Sequence, residues 1–154
     1  MTDRKDLVVI THLRDNCRKT LTEMSKKSQI PISTIYEKIK RNKDGIIIKH
    51  TCLVDFAKLG FNARAKVVIQ ANINHKQDLM QFLLKHHNIN SVYKINNGYD
   101  YLIEGIFRNM RELEEFLEIL QVKFKVKKQE TYFIIDDLKR EAFLSDPQTL
   151  DLLI

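Results

Sequence analysis

Between Leu21 and His50 the chain reads LTEMSKKSQIPISTIYEKIKRNKDGIIIKH. No other stretch limits the fold as much. Two short amphipathic patterns lie a few residues apart, and a glycine with an isoleucine run follows them. That order predicts a helix-turn-helix carrying a small β-wing. The second helical pattern is basic on its polar side. A helix of that kind fits the major groove of B-DNA, which is wide enough to admit one.

The surrounding residues support this reading. From Asp6 to Asn16, Leu7, Ile10 and Leu13 recur at helical spacing. Thr20 or Thr22 can cap a second helix with its hydroxyl, which turns Leu21 and Met24 inward. Ser28 and Gln29 make the turn, and Pro31 is tolerated in a first helical turn, where its missing N–H has no partner. The third helix is expected from about Pro31 to Asn42, with Ile32, Ile35 and Ile39 as its buried stripe. Ser33, Thr34 and Tyr36, near its start, are the candidate base-edge contacts, and Lys40 and Arg41 suit phosphates. Lys38 serves either purpose. Glu37 either accepts from a cytosine amino group or pairs with Lys40 or Arg41. Asp44–Gly45 signals a turn. Ile46–Ile48 and Thr51–Leu53 then read as two wing strands around Lys49 and His50, with Lys49 a further candidate DNA contact.

Beyond a connector the period changes. Ala65, Val67, Ile69, Ala71 and Ile73 alternate with Lys66, Val68, Gln70 and Asn72, the period of a strand. Lys76–His87 is helical. Ile89–Asn96 and Tyr99–Arg108 are strands joined at Asn97–Gly98, a hairpin dipeptide. Asn109 caps a helix striped by Met110, Leu113, Phe116, Leu117 and Leu120, and Lys123–Ile135 alternates again. The order β-α-β-β-α-β is the ferredoxin-like arrangement, with two helices on one sheet face. The other face, expected to show Val68, Leu102, Ile106 and Phe133, invites a second copy packed face to face. The class is therefore α+β. A winged helix-turn-helix occupies 1–53, a linker 54–62, a ferredoxin-like βαββαβ domain 63–137, and an unplaced tail 138–154.

Charge agrees with this division. The net charge is +6. Residues 1–55 hold 12 Lys/Arg against 7 Asp/Glu, and the remainder 14 against 13, so the positive excess lies in the first third. Such asymmetry suits a partner that is a polyanion. Cys17 and Cys52 form no CxxC pair and are expected as reduced, partly buried thiols. No apolar run nears the ~20 residues of a membrane span, and no leader pattern is evident, which leads to the expectation of a cytoplasmic protein without membrane partners. Nucleotide-binding and hydrolase motifs are missing. His86 and His87, adjacent on a helix, are poor co-ligands for one ion. No enzyme activity, cofactor or metal is expected.

The whole order resembles the Lrp/AsnC (leucine-responsive, feast/famine) family of transcriptional regulators, over about residues 3–137. The likeness is carried by Leu21–Lys27, Ser33–Arg41, Gly45–Ile47, Lys58–Phe61 and Tyr99–Leu102. The chain departs from the family at Asn42, where leucine is usual, in a turn to Gly45 one residue short, and at Ile48, where a polar residue is common. The family's Gly-Asp-aromatic-Asp loop is Asn97-Gly98-Tyr99-Asp100 here. The resemblance implies double-stranded DNA as partner and self-association as a homodimer, or as a tetramer or octamer. It also implies a small-molecule effector such as an amino acid near Asn97, Gly98, Tyr99 and Asp100. Two alternatives stay open. Sirohaem decarboxylases look similar over both domains and would draw on Arg64, Arg108, Tyr93, Tyr99 and the histidines. An adaptor with a degenerate DNA module is the other.

Overall fold

The structure, a computed structural model, describes residues 3–43 and 45–152, so Asp44 of the expected turn lies outside it. Two compact units emerge: Met1–Leu53 with Leu138–Ile154, and Val54–Asp137.

The first unit holds three helices. Helix α1 (Arg4–Asp15) opens with a reciprocal capping box. The Asp3 carboxylate accepts from the Asp6 N–H at 2.8 Å, and the Asp6 carboxylate from the Asp3 N–H at 3.0 Å. Helix α2 (Leu21–Ser28) starts the same way at Thr20 and Glu23, and ends at Gln29 in the left-handed region, φ 59°. Helix α3 (Ile32–Lys43) follows Pro31. Val9, Met24, Ile30 and Ile35 close the core between them.

The expected wing strands do not form. Residues 46–53 show no strand pairing, and Ile48 is 96% exposed. Two strands of three residues offer too few cross-strand contacts to hold a ribbon alone. Instead the N–H groups of Gly45 and Ile47 donate to the Asn42 carbonyl at 3.3 and 2.8 Å, closing the end of α3. The tail, unplaced by pattern alone, packs on α1. Leu150 is buried. Arg14 donates through Nε to the Phe143 carbonyl at 2.6 Å and through Nη2 to the Glu141 carbonyl at 3.0 Å, while Arg4 pairs with Asp151. Cys17 and Cys52 are free, and both are exposed rather than partly buried.

The second unit is a four-stranded antiparallel sheet of order β2-β3-β1-β4. Its strands are β1 (Ala63–Gln70), β2 (Ile89–Lys94), β3 (Tyr101–Phe107) and β4 (Lys128–Phe133). Helices α4 (Lys76–Lys85) and α5 (Met110–Val122) bury Leu79, Leu83, Leu113, Phe116 and Leu120 against Ala65, Val67, Ile69 and Ile103. Asn109 caps α5 as expected, accepting from the Glu112 N–H at 3.0 Å. The ferredoxin-like order is thus present.

Two expectations shift. Ile73 leaves the strand pattern and is exposed, because β1 ends at Gln70. Phe133 pairs with Ala65 and so shares the helix-side face, at the sheet edge. The opposite face carries Val68, paired with Leu102 and Glu130, and Lys66, paired with Glu104 and Tyr132.

Small residues let the helices approach this sheet. Gly105 pairs with both Ala65 and Ile89, and a Cβ there would lie 2.5 Å from the Phe107 ring. That ring is itself buried and packs 5.4 Å from the Phe116 ring. Gly105→Ala should therefore destabilise the second unit by about 1–3 kcal/mol, the usual cost of overpacking. Denaturant unfolding followed by far-UV circular dichroism reads this directly.

Candidate nucleic-acid interface

The face that α3 presents is set by its buried side. Ile35, Lys38 and Asn42 recur at i, i+3 and i+7 and are all buried. They turn toward the start of α1, where Asp6 is fully buried. Arg41 Nη2 donates to Asp6 Oδ1 at 2.6 Å and Asn42 Nδ2 to the same oxygen at 3.1 Å, while Lys38 Nζ lies 3.4 Å away. Lys38 also pairs with Asp3. A carboxylate removed from water must be matched by donors, and this one is matched by two helices. Burial alone would raise the Asp6 carboxyl. The Asp3 N–H, Asn42, Arg41 and Lys38 outweigh burial and hold it far below the usual carboxylate range.

This hub corrects the reading of Lys38. Expected toward DNA, it faces α1, with 8% of its surface exposed. Ile32, expected in the buried stripe, is 45% exposed, because the helix is turned to bring Lys38 and Asn42 inward. The hub also explains Asn42. At 5% exposure it stands on the core side and supplies an amide to Asp6, which leucine cannot.

Ser33, Tyr36, Glu37 and Lys40 fall at i, i+3, i+4 and i+7 on the opposite side, and all are exposed. Thr34 is half-buried at their margin, Arg41 is exposed beside them, and Lys49 is exposed on the segment that follows. The tail lies on α1 and leaves this stripe open.

The second sequence-derived cluster is a tight turn. Asn97 (φ 62°) and Gly98 (φ 85°) are both left-handed, the backbone that a two-residue hairpin needs. Asp100 accepts from the Ala71 N–H at 2.8 Å and pairs with Lys76. The Tyr99 hydroxyl donates to Glu130 Oε1 at 2.5 Å, and the Lys128 ammonium lies 5.2 Å from the Tyr99 ring. Lys128, Tyr99 and Tyr132 together hold the Glu130 carboxyl at about 2. Asn97 and Gly98 are exposed, whereas Tyr99 and Asp100 spend their polar atoms holding the loop.

The groups an enzyme would recruit do not converge. Arg64 donates to Glu104 at 2.5 Å and to Asp137 at 2.6 Å. Arg108 sits over the Phe61 ring. His86 and His87 stack at 4.8 Å with near-parallel rings, so they cannot clasp one ion. Among the described residues no group of three His, Cys, Asp or Glu side chains could hold a metal, and no helix is long and apolar enough to cross a membrane.

Comparison with known proteins agrees with this architecture. The family model for the Lrp/AsnC ligand binding domain matches residues 66–143. An HTH-type transcriptional regulator of Pyrococcus furiosus, FL11, is 31% identical over 77% of this chain and 79% of its own length. A second P. furiosus protein, an uncharacterised HTH-type transcriptional regulator, is 25% identical over 94% of this chain and 98% of its own. Among solved structures, a transcriptional regulator of Neisseria meningitidis in complex with L-Met aligns with TM-score 0.83 at 19% identity, covering 91% of this chain and 94% of its own. The Bacillus subtilis regulator LrpC aligns with TM-score 0.81 at 20% identity, over 90% and 98%.

The Asp6 hub is open to test. A carboxyl depressed in the folded state stabilises it above the unfolded value, near pH 4, and that contribution is lost as pH falls below it. Asp6→Asn should cost about 3 kcal/mol at neutral pH and flatten the acid limb of stability. Hydrogen exchange of the α1 and α3 amides at pH 7 and pH 3 reads both effects.

The chain belongs to the Lrp/AsnC family of DNA-binding transcriptional regulators, which are not enzymes.

Proposed function

We propose that this regulator sets the exposed stripe of α3 into a DNA major groove. Ser33, Tyr36 and the flanking Thr34 lie at the base edges, and Lys40, Arg41 and Lys49 reach phosphates. The observation that carries this reading is the separation of α3 into two faces. Its inner cation, Lys38, is consumed by Asp3 and Asp6, and its outer stripe is exposed. Lys38 then acts as a structural residue rather than a DNA contact. Arg41 shares its guanidinium between Asp6 and the groove side, since its side chain stays 57% exposed while paired.

Two copies form the working unit in this proposal. Val68, Leu102, Tyr93 and Tyr132 share the sheet face away from the helices. A face-to-face pair would cover them and present two α3 helices to successive major grooves, about 34 Å apart. An amino-acid effector near the Asn97–Asp100 turn completes the proposal. It is supported by the ligand-binding description of the family model and by the neighbouring regulator bound to L-Met.

Lys40→Ala should weaken binding equally on all sequences and lower the salt slope by about one unit, whereas Ser33→Ala and Tyr36→Ala should change sequence preference. Gel shifts on specific and random duplexes across a salt series separate these effects. Equal losses on both duplexes for Ser33→Ala and Tyr36→Ala would remove those residues from the base edges. Val68→Arg should give a monomer in sedimentation; a wild-type monomer at micromolar concentration would end the dimer proposal. A saturating amino acid at 100 times its dissociation constant should stabilise the protein by about 2.7 kcal/mol, read as a rise in Tm across an amino-acid panel.

A further inference from the structure

Cys17 and Cys52 lie far apart in sequence, yet the first unit brings them close together. The Cys17 thiol donates to the Thr51 carbonyl at 3.7 Å. Peptide geometry puts that oxygen about 2.8 Å from the next Cα, which is that of Cys52. The Cys17 sulfur is thus no more than about 6.5 Å from the Cys52 Cα. Both thiols are free and exposed, so small solutes reach them.

The two are held differently. Cys17 stands on the turn between α1 and α2, which is pinned on both sides. The Asn16 N–H donates to the His12 carbonyl at 3.1 Å, the Lys19 N–H to the Asn16 carbonyl at 3.1 Å, and the Arg18 N–H to Asn16 Oδ1 at 3.0 Å. Cys52 stands on residues 48–53. Among the described residues no backbone group of that segment bonds to another backbone group. A disulfide asks for Cα atoms about 4.4–6.8 Å apart, and a segment without ladder bonds yields easily to that demand. The loop such a bond closes contains the whole of α2 and α3, with Lys49 just before Cys52.

We infer that Cys17 and Cys52 form a reversible dithiol–disulfide pair, which fastens the segment after α3 to the turn before α2. The oxidant is hydrogen peroxide. One thiol attacks it: an S–O bond forms, the O–O bond breaks, and a sulfenic acid and water result. The other thiol then attacks the sulfenic sulfur, forming the S–S bond and releasing the oxygen as a second water. The two thiols lose two electrons and the peroxide gains them. A dithiol reductant reverses the change by thiol–disulfide exchange. The consequence for DNA rests on the α3 reading above. Lys49 is free to follow a phosphate in the reduced protein and is tethered in the oxidised one, so the two forms differ by about one phosphate contact.

The full chain is treated with hydrogen peroxide and digested without reductant. Mass spectrometry should find one cross-linked peptide joining Cys17 to Cys52 within a single chain, lighter by two hydrogens than the separate thiol peptides and lost on adding dithiothreitol. The oxidised protein should melt at a higher temperature, because the closed loop restrains the unfolded chain, and the amides of 46–53 should exchange more slowly. Cys17→Ser and Cys52→Ser should each abolish all three effects. In gel shifts over a salt series, oxidised and reduced wild type should differ in slope by about 0.9, and the serine variants should show no difference. Bridges between two chains, sulfinic acids without a bridge, or unchanged exchange at 46–53 overturn the inference. A bridge that leaves the salt slope unchanged overturns the switch and leaves the α3 reading standing. Reduced wild type that binds no duplex overturns the α3 reading, while the peptide map and the exchange rates still decide the pairing.

Discussion

One buried carboxylate governs the packing of the first unit. Asp6 is fully buried, so it must be met by donors, and besides the Asp3 N–H these come from Lys38, Arg41 and Asn42 of α3, far along the chain. Meeting them fixes the rotation of α3 about its own axis. Rotation decides everything else about that helix, because turning Lys38 and Asn42 inward sends Ser33, Tyr36, Glu37 and Lys40 outward. An apolar contact of equal area would hold the helices together but would tolerate sliding. Hydrogen-bonded charge pairs have directions, and they tolerate much less.

The same hub marks where reading from the residues stopped short. Helices and strands were legible because burial repeats at 3.6 or 2 residues, and that repeat is written locally. Leu113, Phe116 and Leu120 on α5, or Ala65, Val67 and Ile69 on β1, needed nothing more. Lys38 was misplaced because periodicity assigns charge to solvent, and its partners, Asp3 and Asp6, lie far away in sequence. Ile32 was misplaced by the same error in reverse. Asn42 was visible as an oddity, and its meaning appeared only once Asp6 stood opposite. The wing segment failed for another reason: an isoleucine run signals a strand, but pairing needs a partner of adequate length. Phe133 fell on the helix side because strand register, which alternation alone does not number, sets it opposite Ala65.

The residues of the candidate effector turn divide between backbone shape and side-chain ties. Asn97 and Gly98 adopt the left-handed backbone that their identities suggested. Tyr99 and Asp100 are committed to Glu130, Ala71 and Lys76, so their polar atoms tie the turn to β1, β4 and the start of α4.

The tail brings a consequence for biogenesis. Arg14 reaches the Phe143 carbonyl across 129 residues of chain, with the whole sheet unit translated in between. The three helices can associate early through neighbouring contacts, which close quickly. The pairing of α1 with residues 138–152 must wait until the sheet unit between them has been translated, so the first unit closes only after the second has been made.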